Sequence, residues 1–126
     1  MAKDYIEITR SIDEYALELK ALIPQTLSAF GALTHAAQAA GALDQKTKQL
    51  IALAIAVADR CDGCIGYHAH GARRYGADRQ EVAEALGVAV QMGGGPSVDY
   101  AADALRAYDQ FGASSAVPAT PPSVPR

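Results

Sequence analysis

The stretch "QLIALAIAVADRCDGCIGYHAHG", residues 49–71, decides how the chain is read. Its first half carries an apolar run from Leu50 to Ala58, too short to cross a bilayer and suited to the inside of a helical core. Its second half sets Cys61 and Cys64 three residues apart, with His68 four residues further on and His70 just beyond. On a helix that starts at Cys61 or Asp62, these spacings put Cys61, Cys64 and His68 on one face, each about a turn from the next. No other cysteine occurs in the chain, so any thiol chemistry belongs here.

The same helical spacing continues outward in both directions, and no segment shows sustained strand alternation. Ile8, Ile12, Tyr15, Leu19 and Leu22 line one stripe of a first helix. Pro24 suits the first turn of a second, which runs through Leu27, Phe30 and Ala37 to Gly41. Asp44 caps a third helix ending near Asp59, and Gly76 terminates the fourth. Asp78 and Glu81 form a capping-box start for a fifth that buries Val82, Leu86, Ala89 and Met92. The glycines of "GGGP", 93–96, permit a tight turn, and Pro96 opens a sixth helix with Val98, Ala101, Leu105 and Tyr108 facing inward. The fold class is all-α, about six helices in a bundle. Residues 1–111 make one helical domain, and the Pro-, Ala- and Ser-rich segment 112–126 reads as a flexible tail.

Half of the 126 residues are hydrophobic and a fifth are charged, which is ordinary for a globular domain. Alanine is abundant, at 27 residues, and tryptophan is absent. Small side chains suit close helix packing but fill a core poorly, so self-association is expected. The net charge of -3 and the lack of a long basic stripe argue against a nucleic-acid or anionic-membrane partner. The charged N-terminus does not resemble a secretory leader, and a cytoplasmic protein is expected. In a reducing compartment a two-cysteine pair is more often catalytic or metal-binding than structural.

Four readings of the cysteine pair compete. A zinc site usually has four ligands, and beyond His68, His70 and His35 the chain offers no second pair at ligand spacing. Two buried core cysteines are a second possibility. A permanent disulfide across three residues of one helix would constrain little chain entropy. The fourth is redox chemistry. A thiol in the first helical turn lies at the positive end of the helix dipole, which favours a Cys64 thiolate. His68 is spaced to take the thiol proton and then stabilise the thiolate as imidazolium. Cys61 is spaced to close a disulfide with an oxidised Cys64, and Gly63 leaves the space between them open.

The run from "DQKTKQLIALAIAVADRCDGCIGYHAHGARRYGADRQEVAEALGVAVQMGGGP" through "YAADALRAYDQF" resembles the carboxymuconolactone decarboxylase-like superfamily, and within it the AhpD-like alkylhydroperoxidase branch. The likeness covers about residues 20 to 111. Its specific part is a polar residue twelve before a CxxC pair, then a histidine four after the second cysteine, all behind an Ala-rich apolar helix. The resemblance implies an all-helical fold, assembly into trimers or hexamers, and reduction of hydroperoxides by the cysteine pair. It also implies a thiol or dithiol electron donor and no bound metal or cofactor. The decarboxylase branch proper generally lacks the cysteine pair, so its reaction is not implied. By position, Cys64 corresponds to the peroxide-reacting thiol, Cys61 to its resolving partner and His68 to a relay histidine. The relay's acidic member falls on Gln49, an amide that orients a proton carrier but does not exchange a proton itself. The histidine sometimes found before the second cysteine is replaced by Gly63.

Outside that constellation the residues read more plainly. Tyr67 turns partly away from the Cys–His68 face and packs, His70 lies at the surface or an interface, and His35 is an ordinary helix residue. Arg73 and Arg74 form a solvated helix C-terminus. The leading function is therefore a thiol-dependent hydroperoxide reductase or disulfide oxidoreductase. Two others stand beside it: a non-catalytic helical oligomer or partner-binding module with a degenerate relay at Gln49, and a lyase-type activity on a small organic acid.

Overall fold

The computed structural model describes residues 1–113, and within them every regular element is an α-helix. They are α1 (Tyr5–Leu22), α2 (Pro24–Gln38), α3 (Gln45–Ala58), α4 (Asp62–Arg74), α5 (Arg79–Gly93) and α6 (Gly95–Ala113). The starts follow the capping logic. Asp44 accepts the Thr47 N–H at 2.7 Å, and Asp78 and Glu81 satisfy each other's backbone N–H groups at 2.8 and 3.0 Å. Gly76, at φ +90°, ends α4 in the left-handed conformation that glycine adopts without strain. Helix α2 stops at Gln38, three residues short of the expected Gly41. Helix α6 runs through Ala113, two residues past the boundary expected at 111. The segment read as a flexible tail otherwise lies outside the described residues.

Helix α4 is the centre of the assembly, packed against α3, α6 and α1, while α5 closes the far side against α3 and α6. Leu53, Val57, Ile65, Val82 and Leu86 fill the core with a ring of alanines from α4 and α6. As expected, α5 buries Val82, Leu86 and Ala89, and α6 buries Ala101 and Tyr108.

The helix faces depart from the expected pattern where packing ends. Met92 and Val98 lie at the α5–α6 corner and are exposed. Of the α1 stripe only Ile8 packs against the core, and Ile12, Tyr15, Leu19 and Leu22 are exposed. The reason lies in α4: Gly63 and Gly66 present bare backbone, and α1 docks there with Tyr5 and Thr9. A Cβ at Gly66 would stand 2.5 Å from Thr9 Cγ2, and one at Gly63 would stand 2.8 Å from Ile12 Cδ1. Beyond that contact α1 and α2 leave the core together, and α2 buries no residue. Tyr15 and Leu22 are about four-fifths exposed, at 79% and 80%. No described helix is long and apolar enough to cross a membrane.

Candidate functional site

The turn from α3 to α4 delivers the cysteine pair. Arg60 N–H bonds Val57 C=O and Cys61 N–H reaches back to Ala56 C=O, both at 3.1 Å, the paired contacts of a Schellman ending. Arg60, not glycine, holds the left-handed position at φ 55°. The same Cys61 then becomes the N-cap of α4, its Sγ accepting the Cys64 N–H at 3.3 Å. One residue thus ends one helix and begins the next, and its sulfur lies at the positive end of α4.

That arrangement changes which sulfur the helix end serves. Cys64 is the exposed member of the pair and Cys61 is half-buried. The protein around the Cys64 sulfur still matters: burial is the first cause pushing its thiol up to about 11. Its hydrogen bond with the Cys61 sulfur, and the charges of that sulfur and of Asp59, push the same way. The expectation of a thiolate at Cys64 is therefore corrected. The Cys64 N–H caps on the Cys61 sulfur, and burial keeps the Cys64 thiol protonated at neutral pH.

His68 and Gln49 come together as the spacing and the resemblance required, but through a bond of their own. His68 Nδ1 lies 2.8 Å from Gln49 Oε1, joining α4 to α3. With the amide oxygen facing the ring, Nδ1 carries the proton and Nε2 is the ring's acceptor. Burial lowers His68 to about 4, so the imidazole is neutral at neutral pH. Neither sulfur hydrogen-bonds it among the described residues. The expected imidazolium–thiolate pair is thus not formed, because the ring is held from the α3 side and desolvated. Proton transfer between Cys64 and His68 needs an intervening water or substrate hydroxyl.

The packing around the site was only partly readable in the linear sequence. Gln49 is 4% exposed, and its amide lies directly on Gly71, where a Cβ would stand 2.5 Å from Gln49 Cδ. Asp62, beside Cys61, is engaged by Lys3 Nζ at 2.9 Å and Tyr5 OH at 3.3 Å. Tyr67 turns away from the cysteines, as expected, and its hydroxyl donates to Asp13 at 2.6 Å. His70 is half-buried: its ring stacks on Phe111 at 4.2 Å between centroids, and its Nε2 is buried without a hydrogen-bond partner among the described residues. Arg73 and Arg74 are likewise not a solvated end. Arg73 Nε donates to Tyr108 C=O at 3.1 Å with its guanidinium over that ring, and Arg74 Nε is buried. His35 is exposed on α2, as an ordinary helix residue. Among the described residues no three His, Cys, Asp or Glu side chains converge as a metal-binding group.

Comparison with known proteins places this geometry. Residues 24–107 match the family model of the carboxymuconolactone decarboxylase family. The chain belongs to the carboxymuconolactone decarboxylase family. A crystal structure of an apo carboxymuconolactone decarboxylase family protein from Legionella pneumophila is 46% identical, with a TM-score of 0.83 over 85% of this chain and 96% of that one. A Thermotoga maritima structure is 31% identical, with a TM-score of 0.68 over 77% of this chain and 89% of the other. An uncharacterized protein of Cupriavidus necator is 41% identical over 90 residues, 71% of this chain and 80% of its own length. The carboxymuconolactone decarboxylase family includes enzymes, and its all-helical fold is the one described above.

Proposed function

We propose that Cys61 and Cys64 form a dithiol–disulfide couple that reduces hydroperoxides, in the manner of the AhpD-like branch of the family. The observation that carries the reading is the N-cap contact: Cys61 Sγ accepts the Cys64 N–H, which sets the two cysteines side by side at a helix end. Cys64 is the exposed thiol and the one a peroxide reaches first. Its thiol proton leaves through the water or substrate hydroxyl that His68 orients, and it is the proton the departing alkoxide takes. Its sulfur then attacks the terminal peroxide oxygen, the O–O bond breaks, and the departing alkoxide takes a proton to leave as alcohol. Cys61 displaces water from the resulting sulfenic acid and closes the disulfide. An external thiol or dithiol donor returns two electrons and two protons. No metal or cofactor takes part in these steps. His68, neutral and anchored by Gln49, orients the water or hydroxyl that carries the proton; at about 4 it is a weaker base than free imidazole.

Self-association belongs to the same proposal. The outer parts of α1 and α2 expose Tyr15, Leu17, Leu22, Phe30 and Leu33, and a trimer or hexamer of this chain would cover part of this apolar surface. The acidic composition and the absence of a basic stripe fit a protein of the cytoplasm, without nucleic-acid or membrane partners.

The non-catalytic oligomer is the competing reading, favoured by the raised Cys64 thiol and by an amide at position 49. Thiol titration and hydroperoxide consumption with a dithiol reductant separate the two. The dithiol reading expects both thiols to be protected after one equivalent of hydroperoxide, and turnover to vanish in Cys64→Ser. Unprotected thiols with no peroxide consumed overturn it.

A further inference from the structure

We infer, on the dithiol reading above, that Gly71 is a positioning residue: its bare Cα leaves the space that the Gln49 amide fills while it holds His68 by Nδ1. Position 71 is one turn after His68 on α4 and is fully enclosed against α3. The space a Cβ would take there is already filled by the amide, with Gln49 Cδ at 2.5 Å and Nε2 at 3.0 Å. Side-chain carbons do not approach so closely, so any larger residue at 71 must drive the amide away. Gln49 is a flexible side chain and yields easily at its far end, but its bond to His68 is made by that far end. The relief of the clash and the loss of the anchor are the same movement. A glycine inside an α-helix is less favourable than alanine, and at 71 the space left by the missing methyl is taken by the Gln49 amide. Neighbouring core positions on α4, Ala69 and Ala72, do carry the methyl group that 71 lacks.

The ring's tautomer reports the anchor directly. In the wild type, the nitrogen and carbon shifts of His68 should show the Nδ1–H form. Gly71→Ala should lose that signature, and hydroperoxide consumption should fall about tenfold or more. Gln49→Ala/Gly71→Ala has the room restored but no amide: it should recover the thermal midpoint while still lacking the Nδ1–H form and the activity. A merely structural glycine predicts the opposite for the double variant, with activity returning alongside stability. The inference is overturned if Gly71→Ala keeps the Nδ1–H form, if the double variant regains it, or if the double variant folds no better than Gly71→Ala. Should the wild type consume no hydroperoxide, the dithiol reading fails by itself, and the tautomer measurements still decide the role of Gly71.

Discussion

Replacing Gln49 by glutamate tests the relay at its weakest point. The amide at 49 fixes the His68 ring but lends it no charge, and burial leaves the imidazole near 4. A carboxylate in the same place would face Nδ1–H across 2.8 Å. A full charge pair at that distance is worth about 6 kcal/mol at an effective dielectric constant of about 20. Desolvating the new carboxylate, in a position that is 4% exposed, removes several kcal/mol of this. What remains, about 1–4 kcal/mol, corresponds to a rise of roughly one to three pH units and brings His68 between about 5 and 7. There it exchanges protons at neutral pH, and peroxide turnover should rise about tenfold, within the usual range of a positioned acid–base group.

Two measurements check this. An NMR titration of His68 should move upward in Gln49→Glu, and steady-state hydroperoxide consumption with a dithiol donor should increase in parallel. The variant should also lose about 1–3 kcal/mol of stability at pH 8, where a buried carboxylate faces a neutral ring. A His68 midpoint that stays near 4 would refute the electrostatic reasoning. A midpoint that rises without a gain in turnover would refute the relay itself.

Other consequences are open to simpler assays. His68 is neutral in the fold but titrates near 6.5 in an unfolded chain, so its contribution to stability is complete above pH 6.5 and is lost as the pH falls towards 4. Urea unfolding should show about 2 kcal/mol less stability at pH 5 than at pH 7.5 from this group, and His68→Gln should remove that part of the slope. Cys61→Ala deletes the N-cap acceptor and should cost about 1 kcal/mol, with Cys61→Ser recovering most of it. Alkylation of Cys64 at pH 8 should be faster in both variants, because the Cys61 sulfur no longer raises its thiol. Gly66→Ala drives a methyl into Thr9 of α1 and should destabilise by about 1–3 kcal/mol in thermal unfolding. Leu33→Glu, on the uncovered face of α2, should shift sedimentation toward monomer without disturbing the monomer's fold.

Much of the scaffold is legible because it is written locally. Asp44, Asp78 with Glu81, and Gly76 announce helix ends through their own backbone contacts, and the structure uses each of them. The stripe of α1 misleads because periodicity reports that a face is apolar, not what covers it. Tyr5 and Thr9 meet α4 and are buried, whereas Leu19 and Leu22, on the same helix, stay exposed among the described residues. The turn at Arg60 carries no glycine, so its left-handed backbone gives no signal in the sequence. The same limit applies at the candidate site. Spacing puts Cys61, Cys64 and His68 on one face, but the direction of the ring is chosen from across the core, by a glutamine whose place depends on a glycine one turn away.

The N-terminus of α4 links that geometry to the proposed redox couple. A helix end offers few unpaired N–H groups, and here the one from Cys64 goes to the sulfur of Cys61. The nearby carboxylate of Asp62 is engaged by Lys3, just before α1, and by Tyr5, the first residue of α1. A dithiol therefore keeps a cap in which the accepting sulfur can carry charge. A disulfide sulfur carries none and accepts a hydrogen bond more weakly, so closing the bridge sacrifices part of the cap. If the difference is about 1 kcal/mol, as for other N-caps, it favours the reduced pair by roughly 20 mV. The sign follows from the position of Cys61 alone: a sulfur that starts a helix makes the reduced state the better-capped one, and so would make the proposed Cys61–Cys64 disulfide a stronger oxidant.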